Sequence, residues 1–165
     1  MRLQTSLRLD IALQIVSIAL ATGRAEKMLP LTVVVLDVSG KIIASHSEDG
    51  SGLMRFDIAR GKAWGALGMG MSSRLIRDRL ATRPSFQSAL ATVADGKFVP
   101  VPGGVLVLQS GETVIGAVGV SGDTSEKDEY CAIVGIKGAK LRSEPKTPLK
   151  NWRDSSLSGL VAETD

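Results

Sequence analysis

Four short stretches of this 165-residue chain carry groups fit for chemistry. In Pro102-Gly103-Gly104, two successive glycines leave backbone N–H groups unshielded by a Cβ, an arrangement that receives a carboxylate or another anion. Its plain alternative is a strand entry with unusual dihedrals. No Gly-Lys-Ser or Gly-Lys-Thr follows, so it is not a P-loop. In the run Gly122 to Glu129, Ser125 with Asp128 and Asp123 with Glu126 fit helix-capping boxes. Capping does not need every acid of that turn, which leaves Asp128 or Glu129 to face a pocket as an acid or base. His46 stands where a strand gives way to Glu48 and Asp49. A neutral imidazole there would ligate iron or act as a base tuned by a nearby acid, or it is an exposed polar residue. Lys62, Arg55, Arg60 and Arg83 offer cations for an anionic ligand, or are solvated charges.

Much chemistry is excluded by count. One cysteine forbids an internal disulfide and a Cys-based zinc site, and one histidine forbids a His-rich metal centre. Cys131 lies in an apolar helical run, so it is expected to be a buried, inert thiol in a reducing, cytoplasmic setting. No serine elbow is present. The net charge of +3 is mild, and the basic cluster Arg74, Arg77 and Arg79 lacks interleaved aromatics, so nucleic acid is not an expected partner. The apolar stretch Ile11 to Ala21 is too short to span a bilayer and lacks a signal-peptide layout, so no membrane association is expected. Hydrophobic residues make up 44% of the chain but aromatics only 4%, so the core must be built from Ala, Val, Leu and Ile.

These groups need a frame. Residues 6 to 27 read as an amphipathic helix, with Leu9, Leu13, Val16 and Leu20 at helical spacing, Ser6 as N-cap and Pro30 beyond its end. Leu31 to Leu36 reads as a strand buried on both faces, and Lys41 to His46 as its hairpin partner across Asp37-Val38-Ser39-Gly40. Phe56 to Met71 reads as a helix with Gly61, Gly65 and Gly68 in small-residue rows. Each interior glycine costs about 1 kcal/mol relative to alanine, so a helix, a second subunit or a flat ligand is expected to lie close to this backbone. Short helices follow from Ser72 or Ser73 to Leu80 and from Ser85 to Ala94. A second hairpin joins Val105–Leu108 to Thr113–Val120 around Ser110-Gly111, and a buried helix runs from Glu126 to about Ala139. From Arg142 onward the prolines and polar residues predict an extended tail whose Trp152 docks back on the domain or on a partner. Hairpins separated by helices favour an α+β fold with an antiparallel sheet over a doubly wound one.

The segments Lys62-Ala63-Trp64-Gly65-Ala66-Leu67-Gly68, Phe98-Val99-Pro100-Val101-Pro102-Gly103-Gly104-Val105, Val114 through Thr124, and Lys127-Asp128-Glu129, in this order, resemble the GlcG/HbpS-like family. Its members are described as haem-binding or haem-degrading. The resemblance covers Leu7 to Leu141, which sets a domain at 1–141 and a C-terminal tail at 142–165. It implies a profilin-like five-stranded antiparallel sheet flanked by helices, with the fifth strand sought in Lys97 to Val101. It also implies a homo-oligomer, from dimer to octamer, and haem as cofactor. Asp49, Lys62, Gly103, Gly104, Asp128 and Glu129 match recurrent family positions and are the expected pocket residues. His46, the expected iron ligand, stands where many relatives carry arginine.

Function transfers less well than fold. The first expectation is haem binding with possible haem degradation. The second is a small organic-acid binder or enzyme, in which Lys62 and the Gly103-Gly104 amides hold a carboxylate while Asp128 or Glu129 supplies acid–base catalysis. The third is a non-catalytic oligomeric sensor or scaffold.

Overall fold

Successive side chains of a strand point to opposite faces, so a strand buried at every position needs cover on both sides. β1 (Thr32–Asp37) is such a strand: it is buried from Thr32 through Leu36. Val33 and Val35 join one apolar cluster, and Val34 and Leu36 join another. The computed structural model describes Met1 and residues 5–157 and shows how both faces are covered. β1 pairs antiparallel with β2 (Ile42–Ser47) on one side and with a long strand, β4 (Val114–Ser121), on the other. β3 (Gly104–Leu108) pairs with β4, and β5 (Arg142–Glu144) pairs with β3. The order is β2-β1-β4-β3-β5, a five-stranded antiparallel sheet within an α+β fold, as the sequence implies.

One face is covered by α1 (Leu9–Ala25) and α5 (Ser125–Gly138). Ile15, Val16, Ile133 and Ile136 close over Val33, Val35, Val118 and Val120 there. The other face is covered by α2 (Arg55–Met69) through Ala59, Ala63 and Ala66. The alanine face lets this helix lie very close to the sheet. A Cβ at Gly119 would overlap the Ala59 carbonyl oxygen. α3 (Ser73–Leu80) and α4 (Pro84–Val93) build a smaller third cluster in which Ile76 and Leu80 meet Phe98. α4 contributes no buried residue of its own.

Several local expectations shift. The fifth strand is Arg142–Glu144, not a part of Lys97 to Val101. The latter segment crosses α2 instead, with Phe98 over Gly65 and Val99 over Gly61. The chain after Leu141 is therefore not only a tail. It adds a sheet strand, and Trp152, 8% exposed, stacks on Tyr130 at a centroid distance of 3.7 Å. The last part of the expected tail, residues 158–165, lies outside the described residues. Arg8, not Ser6, is the N-cap of α1, and the Ser6 hydroxyl accepts from Val38 N at 3.1 Å. Thr124, not Ser125, caps α5. Among the described residues, no helix is long and apolar enough to cross a membrane.

Candidate functional site

The alanine face of α2 carries one long polar side chain, Lys62. With Ala59, Ala63 and Ala66 around it, its stem runs between helix and sheet rather than out to solvent, and the residue is 1% exposed. A buried ammonium must be paired. Nζ donates to Asp128 Oδ2 at 2.8 Å and to the Val120 carbonyl at 3.0 Å. Asp128, in the first turn of α5, also accepts from Asp123 N at 3.2 Å. Burial pushes its carboxyl up to about 6, against the opposing pull of the Lys62 charge.

Gly103 and Gly104 complete this cluster. Gly103 has φ +118°, and a Cβ there would stand 2.9 Å from Lys62 Nζ and 2.9 Å from the Val120 oxygen. The Gly104 amide donates to the Ser73 hydroxyl at 2.7 Å. Glu129 is fully buried but turned toward α3. Arg74 Nη1 lies 3.2 Å from its Oε1, while neither carboxyl oxygen has a hydrogen-bond partner. Burial raises Glu129 to about 7, Arg74 and Arg77 pull it down, and Glu126 and Glu144 push it up.

The double glycine, the middle helix and the acidic turn thus converge as the sequence suggests, but on packed interior. The Lys62 side chain fills the space beside Gly103. The Gly104 amide, expected to be bare, is taken by Ser73. Lys62, expected to hold a ligand carboxylate, holds Asp128. Asp128 and Glu129, expected as acid and base, are closed to solvent at 1% and 0% exposure. Ser73 and Arg74, the partners that close this region, carry no such signal in the sequence, where Arg74 stands only in a local basic cluster.

Asp49 and His46 lie apart from this cluster. Asp49 is exposed and lines a shallow groove with Arg24, Ser47 and Glu48, where Glu48 Oε1 meets Arg24 Nε at 2.7 Å. His46 is exposed on β2 opposite Val33, which places it on the α1–α5 face of the sheet. Among the described residues, no group of three or more His, Cys, Asp or Glu could hold a metal ion. Cys131 is buried, and burial pushes its thiol well above the ordinary range.

An opening of a different kind lies at the other end of α2. A cleft of about 160 Å³ is bounded by Trp64, Gly65, Gly68 and Met69 of α2, Leu90 and Val93 of α4, and the following Ala94 and Phe98. It is smaller than the about 300–1,000 Å³ of drug-sized ligand sites, and its walls are almost wholly apolar. Of the α2 glycines, Gly61 and Gly65 are explained by the crossing segment. Gly68 is not: a Cβ there would meet nothing nearer than Trp64 at 4.0 Å. The glycine rows signal a close neighbour, which at Gly61 and Gly65 is the crossing segment of this same chain.

The fold is shared with other proteins. The family described as haem degrading protein HbpS-like matches residues 7–137, and the chain belongs to that family. Three solved structures are similar to it. The crystal structure of a PduOC–haem complex has a TM-score of 0.75 and 22% identity, covering 84% of this chain and 98% of that one. Klebsiella pneumoniae protein ORFY, of the DUF336 family, has a TM-score of 0.73 and 26% identity, covering 85% and 94%. A double mutant of Streptomyces reticuli HbpS has a TM-score of 0.70 and 24% identity, covering 83% and 89%. No curated protein matches at the level of sequence.

Proposed function

We propose that this protein binds haem in the cleft between α2 and α4. The observation that carries the reading is that apolar cleft, with Trp64 and Phe98 in its walls, on the scaffold of a haem-degrading family. A porphyrin is a flat, largely apolar ring. Apolar and aromatic walls with glycines on the adjoining helix suit one edge of it, and a cleft of about 160 Å³ takes that edge alone, with the propionates outside. Trp64, Phe98, Leu90 and Val93 would contact the ring, and Gly65 and Gly68 would keep the helix surface low beneath it. The bound iron would supply the redox and oxygen chemistry that haem breakdown requires. The chain's own part is to seat the ring and shield one side of it from water.

The organic-acid reading needs Lys62 and the Gly103-Gly104 amides free. Lys62 is bonded to Asp128 and the Gly104 amide to Ser73, so haem binding stands ahead of it. The test is a titration of the purified full chain with haemin, followed by its Soret absorbance. A saturable shift is expected, and a Gly68→Leu variant that fills the cleft should weaken it. No saturable shift would refute haem binding. Breakdown is read separately, as loss of the Soret band when reductant and oxygen are supplied to the loaded protein.

A further inference from the structure

We propose that Glu129 and the chain after β5 compete for one guanidinium, that of Arg74, so that ionisation of Glu129 loosens residues 145–157. Arg74 stands in α3 between the two. Its Nη2 donates to the Thr147 carbonyl at 3.1 Å, and its Nη1 lies 3.2 Å from Glu129 Oε1. The first contact is a hydrogen bond. The second is not, and both Glu129 oxygens are buried without one. A neutral carboxyl tolerates that state better than a carboxylate, which in a dry interior requires a cation and donated hydrogen bonds. Arg74 can supply both as a fork, two parallel N–H groups on two oxygens, but only by turning Nη2 away from Thr147. Thr147 is tied to α3 through that bond, while Ser155 and Trp152 hold the chain farther along at Thr124 and Tyr130.

The surroundings leave Arg74 as the group that must turn. Arg77, also on α3, is engaged with Asp78 at 2.9 Å and reaches Glu126 at 3.8 Å. β5 presents Glu144, which accepts from Ser72 N at 2.7 Å, and α5 itself presents Glu126; both are acids that oppose a further negative charge here. The neighbouring Asp128 is held by Lys62. β3 and β4, beneath α5, carry no charged side chain. From α1, Asp10 pairs with Arg8 and Arg24 with Glu48, and beyond β5 Arg153 pairs with Glu26. Burial raises Glu129 from 4.5 to about 7, so the exchange falls between pH 6 and pH 8: the strap is docked on the acid side and loosened on the alkaline side.

The test is limited trypsin digestion of the full-length protein at pH 6 and pH 8. Each rate is taken relative to a lysine-bearing reporter peptide in the same digest, and circular dichroism verifies the fold. Lys146 and Lys150 flank Thr147 and are exposed, so cleavage after them, read by mass spectrometry, follows the loosened fraction. If loosening returns the carboxyl from about 7 to its ordinary 4.5, that fraction rises about tenfold from pH 6 to pH 8. Glu129→Gln should abolish the rise and stay slow at both pH values. Arg74→Gln, which removes the shared guanidinium, should be cut fast at both. Cleavage after Lys41, between β1 and β2, should show no such rise, and His46→Ala, which removes the one imidazole, should respond as the unmodified protein does. The proposal is overturned by no rise in the unmodified protein, by a rise that survives Glu129→Gln, or by one shared with Lys41. A response lost in His46→Ala, or kept unchanged in Arg74→Gln, overturns it as well.

Discussion

Replacing Lys62 by methionine keeps most of the side-chain volume and deletes the charge. Lys62 and Asp128 are each 1% exposed and meet at 2.8 Å. Removing one partner leaves a carboxylate in the interior with only the Asp123 amide for company, and breaking such a pair costs about 3–5 kcal/mol. The Val120 carbonyl loses its donor as well. Domains of this kind are stable by about 5–15 kcal/mol in total, so Lys62→Met should remove a large fraction of the stability. Guanidinium unfolding at pH 8 measures it. Two further results are required. The double variant Lys62→Met with Asp128→Asn should recover most of the loss, because the neutral amide oxygen still accepts from Asp123. The deficit of the single variant should also shrink on acidification. A carboxyl whose folded pKa lies above its unfolded one gives full stability below the unfolded value, and that stability is lost as pH rises through the folded value. Asp128 is already raised to about 6 with its cation in place, and losing the cation moves it further up. A loss under about 1 kcal/mol that is flat with pH would refute the buried-pair argument.

Glu129→Gln tests the second buried acid. Its carboxyl is raised from 4.5 to about 7, so the unmodified protein should lose stability as pH rises from 4.5 through 7, by roughly 3 kcal/mol. The glutamine variant should be the more stable one at pH 8 and show a flatter dependence across that window in thermal melts. Gly119→Ala should destabilise by about 1–3 kcal/mol, because α2 must lift off the sheet to admit the methyl, whereas Gly52→Ala, whose methyl would meet only Arg55 Cγ at 3.9 Å, should cost less. Trp152→Ala should cost about 3 kcal/mol through its stacking and burial, while Arg153→Ala, whose ion pair with Glu26 is open to solvent, should move the midpoint far less in the same urea titration.

Much of the frame is legible in the residues. The valine run at 33–35 demands cover on both faces, and two hairpins separated by helices leave little choice but an antiparallel sheet. β5 is not legible: it is three residues long, polar, and followed directly by proline, so neither alternation nor propensity marks it. The convergence of Lys62, Gly103-Gly104 and Asp128 is legible as a gathering of family positions. That it is filled rather than hollow is not, because this turns on where one lysine stem runs and on a serine in the next helix. Lys62 looks like a free cation in a local reading, since its counter-charge lies 66 residues away. The cleft has a partial signal. Small residues along α2 announce a close neighbour, but only coordinates show that the crossing segment explains Gly61 and Gly65 and leaves Gly68 open.

The scarcity of aromatics has an optical consequence. Both tryptophans sit at the margins of the sheet, Trp64 beside the α2 cleft and Trp152 against Tyr130 beside α5. The intrinsic fluorescence of this protein is therefore a pair of local reporters rather than a measure of core packing. Emission from Trp64 follows events at the α2–α4 opening, and emission from Trp152 follows detachment of the chain after β5. Variants retaining one indole each would turn a single unfolding curve into two, one for each side of the sheet.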